Sequence, residues 1–185
     1  MNKKLLILGA GQYGYVAKEV AQAMHCFDAI DFLDDNNDVA IGKLSEFEKV
    51  SAQYSFAFVA IGDSKLRLDW IQRLEEACFR IAILVHPKAN ISPSSQIMKG
   101  TIIEPMAVVQ ANTTVAVGCI LSAGAVVNHN CFIGDGCHID CNATVKSGII
   151  LGAHTKVDCG SVVRFSLLDG VNKNVPEQYY FEAGV

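Results

Sequence analysis

Charge is scarce over the second half of this 185-residue chain: residues 91–168 hold four Lys/Arg and four Asp/Glu, against nine and twelve in residues 1–86. The chain also has one tryptophan and four prolines, and its formal net charge is −4. The lack of a basic excess argues against a nucleic-acid partner, which needs a concentrated positive face. No apolar run approaches the roughly 20 residues of a membrane span, so no membrane partner is expected. The N-terminus, Met1-Asn2-Lys3-Lys4, runs straight into a strand-like segment without a cleavage motif, and the expected location is cytoplasmic. Seven cysteines are an odd number and suggest no disulfide framework; Cys119, Cys131 and Cys137 are expected as small core residues in a reducing compartment.

What is abundant is a period of six. From Ile91 through Ile97, Ile103, Val109, Val115, Leu121, Val127, Ile133, Ile139, Val145, Leu151 and Val157 to Val163, every sixth residue is Ile, Val or Leu. A small residue follows four places after most of them, as at Thr101, Ala107, Cys119, Ala125, Cys137 and Ala143. Hexapeptide repeats signal a parallel β-helix, in which each repeat adds one short strand and one corner to a continuous core. Such a narrow solid exposes most of its outer face. Its shortage of charge therefore points to cover by self-association.

The first part follows a different rule. Lys4 to Leu8 is an apolar run, followed by Gly9-Ala10-Gly11-Gln12-Tyr13-Gly14 and a helical stripe at Val16, Val20 and Met24. Ala29 to Leu33 and Phe56 to Ile61 read as further strands. A second helix runs through Leu66, Trp70, Leu74 and Cys78, and Ile81 to Val85 closes the pattern. Alternating strands and helices predict a small α/β parallel sheet. His86-Pro87 marks the hinge, giving domains 1–86 and 87–185. Asp169 breaks the hexad register, and Tyr179-Tyr180-Phe181 is expected as a terminal strand capping the helix end.

Gly9, Gly11 and Gly14 make a G-x-G-x-x-G between strand and helix, where glycine lets a phosphate approach backbone N–H groups at a helix N-terminus. The same glycines could serve strand-to-helix packing alone. Asp34, Asp35 and Gly62 end neighbouring strands on the carboxyl edge, where open α/β sheets bind ligands. In the hexad Val127-Asn128-His129-Asn130-Cys131-Phe132, His129 faces outward. An exposed imidazole there is either an acid–base group or an ordinary surface histidine. His129, His138 and His154 differ by 9 and 16, which does not stack them in a coil of 18 residues and disfavours a three-histidine zinc site.

Taken in order, Gly9-Ala10-Gly11-Gln12-Tyr13-Gly14, Phe32-Leu33-Asp34-Asp35, Ala60-Ile61-Gly62-Asp63 with Arg67, Leu84-Val85-His86-Pro87 and Val127 to Ile139 resemble the sugar O-acyltransferases of the sialic acid O-acetyltransferase (PglD/NeuD) type. That family includes bacterial sugar-nucleotide N-acetyltransferases, and the resemblance spans nearly the whole chain. It implies a Rossmann-like parallel sheet followed by a left-handed parallel β-helix, assembled as a homotrimer with acetyl-CoA between adjacent helices. It also implies a nucleotide-linked amino sugar held by Gly11, Gln12, Tyr13, Asp34, Asp35 and Gly62. His129 matches the general base, while His138 and the stretch around Ser147 match acetyl-CoA contacts; no metal is implied.

The expected reaction is acetyl transfer to a UDP- or TDP-linked 4-amino sugar, with O-acetylation of sialic acid or another sugar hydroxyl as the alternative. Relatives carry an acidic residue directly after the catalytic histidine. Here Asn130 stands there, and an amide can orient an imidazolium but cannot stabilise it by charge. A weakened protein that binds a sugar nucleotide without acetylating it is therefore a third reading. Where relatives read His-Ile-x-Pro-Gly-Ala, this chain reads His138-Ile139-Asp140-Cys141-Asn142-Ala143, with Asn142 able to keep a left-handed turn.

Overall fold

The computed structural model describes residues 3–166, so the expected terminal strand at Tyr179-Tyr180-Phe181 lies outside the described residues. The chain divides into two compact units, Met1–His86 and Pro87–Val185.

The first unit is a Rossmann-like parallel sheet. Its elements are β1 (Lys4–Leu8), α1 (Gln12–Ala23), β2 (Ala29–Leu33), α2 (Phe47–Val50), β3 (Phe56–Val59), α3 (Ser64–Glu76), β4 (Arg80–Ile81) and β5 (Leu84–Val85). The parallel sheet runs β2-β1-β3-β4. Leu5, Leu6, Ile7 and Leu8 are all buried, as expected of a central parallel strand covered on both faces. Helix α1 buries Gly14, Ala17, Val20 and Ala21 at three- and four-residue spacing, and α3 buries Arg67, Trp70, Ile71 and Leu74 likewise. Phe47, on α2 between two 3-10 turns, packs edge-on against Trp70 at 5.7 Å between ring centres.

Some boundaries differ from expectation. Met24 caps α1, and Cys78 lies beyond α3 in the left-handed region at φ 65°, which stops the helix. The run Ile81 to Val85 divides into β4 and β5; only Arg80 and Ile81 pair with β3.

The second unit is the left-handed parallel β-helix. Its strands β6–β18, each two residues long, start at Asn90–Ile91 and recur every six residues to Val162–Val163. They stack into three faces: β6-β9-β12-β15-β18, β7-β10-β13-β16, and a third containing β8-β11-β14-β17. Register follows an 18-residue coil, as in Val126 facing Val108 and Thr144. The second residue of each strand points inward, so Ile103, Val109, Val115, Leu121, Val127, Ile133, Ile139, Val145 and Leu151 form the buried column.

The small residues do more than fill. Thr101 and Thr113 donate their hydroxyls to the carbonyls of Ala116 and Asn128, 15 residues on, at 2.8 and 2.7 Å. Cys119, Cys131 and Cys137 direct their thiols to the carbonyls of Gly134, Lys146 and Gly152 at 3.0–3.1 Å in the same relation. Burial pushes the Cys131 thiol up to about 11, which keeps its proton on and available for that bond. From the turn after β7 onward, each corner passes through a left-handed residue, at Gly100, Met106, Asn112, Gly118, Gly124, Asn130, Gly136, Asn142, Gly148, His154 and Gly160. Asn142 therefore holds the turn as expected, at φ 55°.

Candidate functional site

In the first unit, β1 lies between β2 and β3, so successive connections leave it in opposite directions along the sheet. That reversal opens a crevice at the carboxyl ends of the strands. The Gly-rich turn stands at this point, tied to its neighbours by Gly9 N–H to the Leu33 carbonyl at 2.9 Å and Ala60 N–H to the Leu8 carbonyl at 2.8 Å.

Its glycines separate into two kinds. Gly9 has φ +101°, and a Cβ on Gly14 would collide with the Gly9 carbonyl oxygen, so both are dictated by packing. Gly11 and Gly62 are exposed, and a Cβ there would meet nothing within 4 Å. Gly11 is the N-cap of α1 and supplies no side chain to its first turn, leaving backbone room beside exposed Gln12 and half-buried Tyr13.

Asp34 has a structural task. Its two carboxylate oxygens accept Ala10 N–H at 2.7 Å and Asn36 N–H at 2.8 Å, and Asn37 donates its amide to the Ala10 carbonyl at 2.6 Å. Asp35 accepts Leu44 N–H at 3.0 Å. Together with Asn37, Asp38, Lys43 and Glu46 they line an open hollow of about 410 Å³. The sequence gives no role to Arg67, which is 1% exposed and donates Nη1 to the Ile61 and Gly62 carbonyls at 2.7 and 2.9 Å. It fixes the backbone that carries Gly62, while Asp63 caps α3 by accepting Leu66 N–H at 2.8 Å.

In the second unit, His129 occupies the corner between the first and second faces, directly after β12 (Val126–Val127). Its backbone is fixed on both sides while its ring is exposed: its N–H donates to Asn128 Oδ1 at 2.8 Å, and its carbonyl accepts Gly148 N–H at 3.1 Å. Asn130 makes the turn at φ 58° and donates its N–H to the Ala111 carbonyl at 2.9 Å. Ala111, His129 and Ser147 thus form one edge, one coil apart. An open hollow of about 370 Å³ beside His129 is lined by Asn90, Ser92, Val108, Gln110 and Ala111.

His138 stands elsewhere, on β14 (His138–Ile139) of the third face, which lies opposite the His129 corner. Its Nε2 is 3.1 Å from Ser122 Oγ and 3.9 Å from Asp140 Oδ1. His154 sits at a third place, a left-handed corner. Among the described residues, no three His, Cys, Asp or Glu side chains converge as a metal site.

Residues 4–74 match the PglD N-terminal domain family. Over the whole fold, the acetyltransferase domain of PglB from Neisseria gonorrhoeae is similar, with 28% identity, 91% of this chain and 95% of that chain covered, and a TM-score of 0.80. The same domain in complex with acetyl coenzyme A is matched at 28% identity over 90% of this chain and 96% of that one, with a TM-score of 0.70. PerB from Caulobacter crescentus, in complex with CoA and GDP-perosamine, shows 26% identity, 90% and 91% coverage and a TM-score of 0.77. This chain is an acyltransferase similar to the PglD/NeuD type.

Within one copy of the acetyltransferase, the expected residues fall into three groups. Gly11, Gln12, Tyr13, Asp34, Asp35 and Gly62 share one strand edge. His129, Asn130 and Ser147 share one β-helix edge, and His138 is on the face across from it. Among the described residues no helix is long and apolar enough to cross a membrane.

Proposed function

We propose that the chain transfers the acetyl group of acetyl-CoA to the amine of a nucleotide-linked 4-amino sugar, with His129 as general base. The observation that carries this reading is the His129 edge: an exposed imidazole on a backbone pinned from both sides, beside an open hollow and one coil from exposed Ser147. The hollow suits an acyl donor's mixed character, with Val108 and Ala111 as apolar lining and Asn90, Ser92 and Gln110 as hydrogen-bonding groups.

The sugar amine attacks the thioester carbonyl carbon, a C–N bond forms, and the C–S bond breaks as CoA leaves. His129 takes the proton lost by the amine and returns it to the thiolate. Holding donor and acceptor together supplies much of the rate. Because His138 lies across the prism from His129, a coenzyme contact by His138 at this site comes from a second copy, in keeping with a homotrimer.

The sugar nucleotide is assigned to the crevice of the first unit. Gly11 and Gly62 leave room for close backbone approach, and the partial positive charge at the N-terminal end of α1 suits a phosphate. Asp34 and Asp35 keep acceptor capacity beyond the bonds they already make, enough for a ribose or base edge.

Release of CoA thiol, followed with UDP-, TDP- and GDP-linked 4-amino sugars and with sialic acid, tests the reading. Turnover of an amine acceptor is expected. Faster turnover of a hydroxyl acceptor would shift the assignment to O-acetylation, and sugar-nucleotide binding without acetyl-CoA binding would replace it with a binding protein.

A further inference from the structure

At the corner after β14, Asp140-Cys141-Asn142, the structure builds a polar cluster around His138. Ser122 Oγ, on a residue only 5% exposed, lies 3.1 Å from His138 Nε2. Asp140 Oδ1 lies 3.9 Å from the same nitrogen. Asp140 is held in turn: its Oδ1 accepts Cys141 N–H at 2.8 Å, and its Oδ2 is 3.6 Å from Lys156 Nζ, which also lies 3.7 Å from Asp158. Lys156 is the register partner of His138 on the next coil, β17.

A hydroxyl and a carboxylate gathered at one ring nitrogen do not make a proton relay, which would need the carboxylate on the other nitrogen. They do something narrower: the Ser122 hydroxyl, able to donate or accept, fixes the ring's rotation, and the Asp140 carboxylate 3.9 Å away favours a proton on Nε2 by its charge. The carboxylate is suited to this, because the Cys141 N–H first, then the His138 and Lys156 charges, hold Asp140 below the usual carboxylate range.

We propose that Asp140, with Ser122 and balanced by Lys156, is a positioning residue that sets the orientation and protonation of His138 for contact with the acyl donor. The proposal rests on the reading that His138 touches acetyl-CoA. The charged and titratable groups around the ring are Asp140 on its own coil, Lys156 and Asp158 on the next, and, along the same corner, Glu104, Cys141 and Cys159. Asp140 and Lys156 therefore act on the imidazole with opposite sign.

The test is nitrogen-15 NMR of the imidazole in the full chain, read against a His138→Ala spectrum for assignment, together with donor kinetics. In the wild type the neutral ring is expected as the Nε2–H tautomer. Asp140→Asn should lower the imidazole titration midpoint and mix the tautomers, whereas Lys156→Met should raise the midpoint. Asp140→Asn should also raise KM for acetyl-CoA roughly two- to fivefold, with KM for the sugar nucleotide unchanged. Unchanged tautomer and midpoints in both variants would overturn the positioning role. If the midpoints move as stated while Asp140→Asn and His138→Ala both leave acetyl-CoA affinity unchanged, the donor-contact reading fails and the proposal falls with it.

Discussion

Gly148 donates its N–H to the carbonyl of His129 at 3.1 Å, and this bond places Ser147 one coil beyond His129 on the same edge of the β-helix. The repeat thus brings together two residues 18 positions apart without any long loop. Coil stacking supplies the rigidity that acid–base chemistry needs, since the backbone at His129 is set by bonds to Asn128 and Gly148 before any ligand arrives.

Asn130 separates two requirements, for backbone and for charge. Its φ of 58° suits Asn, Asp and Gly and penalises a β-branched residue. Asn130→Val should lose about 1–2 kcal/mol in denaturant unfolding, while Asn130→Gly stays within about 0.5 kcal/mol of wild type.

Asn130→Asp keeps the turn and adds a negative charge directly after His129. A carboxylate beside an imidazole favours its protonated form, so the acid limb of kcat/KM should move to higher pH. A pH–rate profile compared with wild type checks this, and an unmoved limb would show that position 130 does not act on the base.

The two kinds of glycine predict opposite outcomes. Gly14→Ala forces a Cβ into the Gly9 carbonyl and should cost about 1–3 kcal/mol of stability. Gly11→Ala, with open space and φ −71°, should melt like wild type yet bind sugar nucleotide more weakly. Thermal unfolding with and without the sugar nucleotide reads both effects.

Arg67→Met should remove the donors to the Ile61 and Gly62 carbonyls and destabilise the first unit by about 1–3 kcal/mol, measured by urea unfolding. Loss of sugar-nucleotide affinity should accompany it, because Gly62 is then no longer held in place.

Much of the fold is legible in the chain because its inward residues are regular. The aliphatic beat from Ile91 to Val163 marks the strands β6–β18, and the Gly-rich turn marks the start of α1. The polar bonds are not legible. Nothing in the pattern tells that Asp34 braces Ala10, or that Arg67 turns inward to carbonyls, since both follow from loops meeting in space. The period of six locates inward positions but is silent on what an outward residue touches. His138 therefore looks like His129 in the sequence, although one meets Ser122 and Asp140 on a face while the other stands at a corner.

The most direct test of the account is the rate of CoA release by His129→Ala with a 4-amino sugar nucleotide that the wild type turns over. With His129 as general base, the rate should fall roughly 100- to 10,000-fold with acetyl-CoA affinity and melting temperature preserved. A wild-type rate in that variant would contradict it.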